Sequence, residues 1–139
     1  MSSSDDHKVL IIPCSGIGKA FGSVGREATY LVTEELRPDE TETLCLSLLT
    51  LGDEEAGYRV RKHPVITIDG CPKACAEANV KSVGGRSVAN IKVVEIYREH
   101  RDLRVASVLE LGEPGRKLAA ILAEKVAVEV DALKTTEAR

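Results

Sequence analysis

Two short apolar runs, residues 8–13 (KVLIIP) and 65–68 (VITI), each lead into a turn that carries glycine and cysteine, and helical periodicity follows. Neither run alternates apolar with polar residues, and both are too short for a helix, so each is expected to be a strand buried on both faces. A strand of that kind needs cover above and below. Parallel sheets with right-handed helical crossovers provide it, because each crossover lays a helix on a face of the sheet.

The rest of the chain is read against that constraint. Between residues 23 and 36 the apolar positions Val24, Ala28, Leu31, Val32 and Leu36 recur at helical spacing until Pro38 stops the pattern. Residues 43–51 (TLCLSLLTL) are expected to form a second strand with Cys45 near its end, a helix being the alternative. Val65 opens the third strand. A helix follows it to about Val83, with Pro72 at its first position and Gly84 and Gly85 ending it. Residues 91–97 (IKVVEIY) are expected to be a fourth strand, and 105–111 a short irregular one. Leu118, Ile121, Leu122, Val126, Val130 and Leu133 line one face of a long closing helix opened by Pro114. The sum is an α/β protein: a single three-layer domain over residues 1–139, with a mostly parallel sheet of about four strands and a long C-terminal helix. Residues 1–7 and 135–139 are expected to be flexible ends.

Composition removes several function classes. A chain of 139 residues, 43% hydrophobic and 29% charged, buries a core without disulfide staples. Its net charge of −3 is spread among interspersed acids and bases, so no field draws in nucleic acid or an anionic membrane. The apolar runs fall far short of the ~20 residues of a membrane span, and the polar start MSSSDDHK has no apolar core of a signal peptide. A cytoplasmic location is therefore expected. In that compartment thiols stay reduced, and four cysteines point to metal or redox chemistry.

In open α/β sheets ligands bind beyond the carboxyl ends of the strands. Cys14 follows the first strand, Cys71 follows the third, and Cys75 lies on the next predicted helix. Cys71 and Cys75, spaced i, i+4, would share one face of that helix, with Cys71 at its positive end, where the thiolate is favoured. Gly16 and Gly18, with Lys19, suit an anion-binding turn after Cys14, and Lys73 adds a second cation near the sulfurs. Cys45, between Leu44 and Leu46, reads equally well as core or ligand. Asp69 is either a group supporting Cys71 or a turn residue feeding the helix. Gly16, Gly18 and Gly22 miss the dinucleotide spacing by one residue, and no arginine stands where a cysteine phosphatase would need it. His7, His63 and His100 lie among polar residues and are expected on the surface.

The segment Ile68-Asp69-Gly70-Cys71-Pro72-Lys73-Ala74-Cys75 resembles the DGC family of small four-cysteine proteins, named for its Asp-Gly-Cys motif and regarded as zinc-binding. Cys14-Ser15-Gly16 and Leu44-Cys45-Leu46 extend the resemblance, which covers about residues 9–94. It implies Cys14, Cys45, Cys71 and Cys75 as the metal ligands, with Zn²⁺ as the ion and an iron-sulfur cluster as the alternative, since both accept four thiolates. A closed shell of four thiolates suits a structural or carrier role rather than catalysis. The competing reading is a thiol redox or persulfide-handling enzyme with Cys71 as nucleophile. A homodimer through the C-terminal helix is a further possibility, set against packing of that helix on the sheet.

Overall fold

The computed structural model describes residues 8–14, 20–70, 74–103 and 111–137. Four parallel strands, β1 (Val9–Pro13), β2 (Thr41–Thr43), β3 (Val65–Asp69) and β4 (Ser87–Lys92), form one sheet in the order β2-β1-β3-β4. Leu10 pairs with Val65 and Pro13 with Ile68, while Ile11 pairs with Thr43. This register brings the carboxyl ends of β1, β2 and β3 to neighbouring positions on one edge.

The helices divide between the two faces by the pleat of β1. Val9 and Ile11 point into a core shared with α1 (Ala20–Leu31), α5 (Val93–Glu99) and α6 (Gly112–Glu137). Leu10 and Ile12 point the other way, towards α2 (Leu46–Thr50), α3 (Glu54–Lys62) and α4 (Cys75–Ser82). All four of these strand side chains are fully buried, which explains why the run shows no alternation. α1 continues through a π-helical turn, Val32–Leu36, and Arg37 then reaches both carboxylate oxygens of Asp131 on α6, at 2.8 and 2.7 Å. On α6, Leu118, Leu122, Val126 and Val130 are fully buried, so the expected stripe packs into the chain's own core.

Three sequence expectations need correction. Residues 43–51 are not one strand: β2 ends at Thr43, and α2 follows. Leu46 and Leu49 are buried there while Leu48 is 38% exposed, a spacing of three that a strand cannot produce. The fourth strand is Ser87–Lys92, and residues from Val93 onward form α5 because pairing stops where β3 stops, at Asp69 opposite Lys92. The helix after β3 begins at Cys75, not Pro72, because Ala74 is left-handed (φ 54°, ψ 50°) and a right-handed helix cannot run through it. The expected helix face shared by Cys71 and Cys75 falls partly outside the described residues, since Cys71 is not among them. α3 was not foreseen, although its signals are present. Asp53 caps it through Ala56 N–H at 2.8 Å, Glu54 and Glu55 sit in its first turn, and Arg59, Arg61 and Lys62 in its last. The expected irregular strand over 105–111 falls almost wholly outside the described residues.

No helix among the described residues is long and apolar enough to cross a membrane. Leu122→Ala, at a fully buried site, is expected to lower the unfolding free energy by about 2–5 kcal/mol. Val128→Ala, on the same helix but 64% exposed, should change it by less than about 0.5 kcal/mol in the same urea titration.

Candidate functional site

The strand order reverses direction between β1 and β3, since β1 connects outward to β2 while β3 connects the other way to β4. A crevice at such a reversal is where open α/β sheets bind ligands. Cys14 stands at it. Its N–H donates to Ile68 C=O at 2.8 Å, carrying the β1–β3 ladder one residue past the strand. The Gly70 N–H in turn donates to Cys14 Sγ at 3.2 Å, in an environment that leaves Cys14 8% exposed. Gly70 sits close under α1: a Cβ there would lie 3.2 Å from backbone atoms of Phe21 and Gly22, tighter than most side-chain contacts.

One strand away, Cys45 precedes α2 in extended conformation, and its C=O accepts Leu48 N–H at 3.0 Å. Its Sγ lies 2.8 Å from Ser47 Oγ at an exposed position. The Ser47 hydroxyl, followed by the Ser47 N–H, holds the Cys45 thiol below its ordinary range against the opposing effect of partial burial. Cys14 and Cys45 line one cavity of about 280 Å³, which Arg26 and Tyr30 of α1 and Thr43 of β2 also enclose. Adjacent parallel strands thus bring together two cysteines that stand 31 positions apart in the sequence.

Asp69 ends β3 with no exposed surface. Its Oδ1 accepts Ala76 N–H at 2.7 Å, and its Oδ2 accepts Glu77 N–H at 3.3 Å and Asn90 Nδ2–H at 2.9 Å. The Asn90 amide also donates to Thr67 Oγ1 at 2.7 Å, and that hydroxyl lies 2.9 Å from Ser87 Oγ. The carboxylate therefore caps α4 from outside its own helix and ties it to β4. Of the two sequence readings of Asp69, the structure shows the one in which it feeds the helix; the support of Cys71 falls on a residue outside the described ones. Cys75 opens α4 at an exposed position.

Cys71 lies outside the described residues, as do Gly16, Gly18, Lys19, Pro72 and Lys73. Among the described residues no three Cys, His, Asp or Glu side chains are grouped closely enough to hold a metal ion. The geometry joins Cys14 with Cys45 on one cavity and carries Cys75 on α4. His63 lies at the opposite edge, its ring nitrogen 3.2 Å from Lys8 C=O. Sequence reasoning missed Arg26, Ser47 and Asn90. Ser47 was open to inference, two residues after a helix-capping Cys45, but Asn90 meets Asp69 and Thr67, and Arg26 meets the cavity, only across elements.

Comparison with protein families matches residues 10–111 to the DGC domain. No curated protein and no solved structure matches the chain.

Replacing Asp69 with alanine leaves the Ala76 N–H, and one of the two N–H groups of the Asn90 amide, without the acceptor each has in the interior. The expected loss is about 3 kcal/mol of unfolding free energy, with a smaller loss for Asp69→Asn, read by urea denaturation. In reduced, metal-free protein, iodoacetamide should alkylate Cys45 faster than the buried Cys14. The pH of half-maximal Cys45 rate should lie below that of free cysteine, because a lowered pKa populates thiolate at lower pH. Ser47→Ala should move that midpoint upward, as followed by peptide mass spectrometry.

Proposed function

This chain belongs to the DGC domain family, and from that premise we propose that it is a metal-binding protein whose ion is held by Cys14, Cys45, Cys71 and Cys75. The observation that carries the reading is the shared cavity of Cys14 and Cys45 at the carboxyl edge of the sheet. Both thiols take part in hydrogen bonds. Cys14 receives a backbone N–H from Gly70, the residue directly before Cys71, and Cys45 has donors that favour its thiolate. Thiolate is the ligating form, and hydrogen bonds to sulfur spread the charge that four such ligands accumulate.

The donor set fits Zn²⁺. Four thiolates around the ion leave a net charge of about −2, and Arg26 on the wall of the cavity is a permanent cation positioned to offset part of it. Zinc, when bound, would cross-link the segments that carry the cysteines. The chain's own residues do the remainder: the Gly70 N–H donates to Cys14 Sγ, Ser47 orients Cys45, and Asp69 fixes where Cys75 begins α4. A shell filled by four cysteines leaves no position for a reacting water, which favours a structural or carrier role over catalysis.

Anaerobically purified, untagged protein is expected to contain about one zinc per chain and to be colourless. Single Cys→Ser substitutions at positions 14, 45, 71 and 75 should each weaken zinc binding by more than about 100-fold in a chelator competition, since loss of a supporting group alone costs 10- to 100-fold. Iron with a brown chromophore would replace zinc by a cluster in the same ligand set. Metal-free protein, or four substitutions without effect, would overturn the proposal.

A further inference from the structure

The outward face of α3 reads the same from either end once charge is reversed. Tyr58 stands at its middle, with Glu54 and Glu55 four and three residues before it and Arg61 and Lys62 three and four after it. Residues three and four apart share a helix face. All five of these side chains are exposed, while Ala56, Gly57 and Val60 are buried on the opposite side. Acids first and bases last also suit the helix's own dipole. The dipole, however, gives no reason for the aromatic ring between them, which is 56% exposed, nor for Leu51, 81% exposed two residues before the Asp53 cap. Arg59 is engaged elsewhere, in an ion pair with Glu42 of β2. The Lys62 ammonium lies 5.7 Å from the centre of the Tyr58 ring, so the basic end of the strip is held against its aromatic middle.

We propose that this face is the contact between two copies of the chain, their α3 helices antiparallel across a twofold axis at Tyr58. A twofold interface uses one patch twice, so the patch must complement itself. Turning α3 end over end about Tyr58 lays Glu55 of each copy opposite Arg61 of the other, and Glu54 opposite Lys62. No acid meets an acid, and the two helix dipoles run in opposite directions. The tyrosine rings meet at the centre, the place and the residue type that contribute most to protein interfaces. A partner of different sequence would have to present the reverse order of charge around an apolar middle, and this chain presents that order itself. An interface built on two helices of 9 residues is small, which places the dimer in the weak, reversible class. α3 carries none of the cysteines, and the contact needs no metal.

The test is sedimentation velocity on the full chain as purified, from about 10 μM to about 1 mM, the range in which weak complexes titrate. The parent should pass from monomer towards dimer as concentration rises, and less so in about 0.5 M salt than in about 0.05 M, because exposed charges are screened. Glu55→Arg and Arg61→Glu should each weaken self-association at least about tenfold, since each sets like charges opposite one another twice. An equimolar mixture of the two should associate again, because every charge in the mixed pair faces its opposite. Arg61 also donates to Val83 C=O at 3.1 Å, so where its reversal lowers the urea midpoint, Glu54→Lys mixed with Lys62→Glu is the second such pair. Tyr58→Ala should weaken association about fivefold or more. A chain that stays monomeric throughout, a dimer indifferent to these reversals, or reversed variants that associate alone as well as when mixed would each overturn the inference.

Discussion

A carboxylate without access to water must be satisfied by the protein, and Asp69 meets that demand with three N–H donors drawn from α4 and β4. The consequence reaches beyond one residue. Because the acceptor stands at the end of β3, the first N–H groups of α4 are drawn to that end, and the chain turns through left-handed Ala74 to reach it. The same carboxylate holds Asn90 and, through it, Thr67 and Ser87, so one hydrogen-bonded network ties the last two strands to the helix between them. The position of Cys75 is thus a by-product of capping rather than of any sulfur chemistry.

Beside this unit, β1 and β3 end in register, and a backbone N–H and a thiol bridge the gap at their tips. Gly70 makes the bridge possible because α1 begins against it. Two energetic demands therefore meet within a few residues: a buried charge wants donors, and a buried sulfur wants one as well. The edge meets both with main-chain N–H groups, joined at Asp69 by the Asn90 side-chain amide. That leaves the side chains of α1 and β2 to shape the adjoining cavity, where Arg26 places a cation next to two thiols.

Local patterns in the chain were informative in proportion to how far burial alone determined them. Val9 to Ile12 and Val65 to Ile68 were legible as strands because both faces are covered, and the stripe from Leu118 to Val130 was legible because one face is. Residues 43–51 and 91–97 were misread for a shared reason. Each is a short apolar segment that changes from strand to helix part way along, at Thr43 and Lys92, and no periodicity can be established in so few residues on either side. The start of α4 was misplaced because Pro72 is a good first residue of a helix by local rules, while the acceptor that decides the matter is Asp69, seven residues before Ala76.

By itself the sequence determined the class of the fold, the parallel character of the sheet and the presence of cysteines where its strands end, because these follow from local composition and from the pleat. Only the tertiary structure decided that Cys14 and Cys45 face one cavity, that Arg26 enters it, and that Cys75 rather than Pro72 opens α4. Those facts depend on strand order and register, which arise from contacts between segments distant in the chain and leave no trace in the spacing of neighbouring residues.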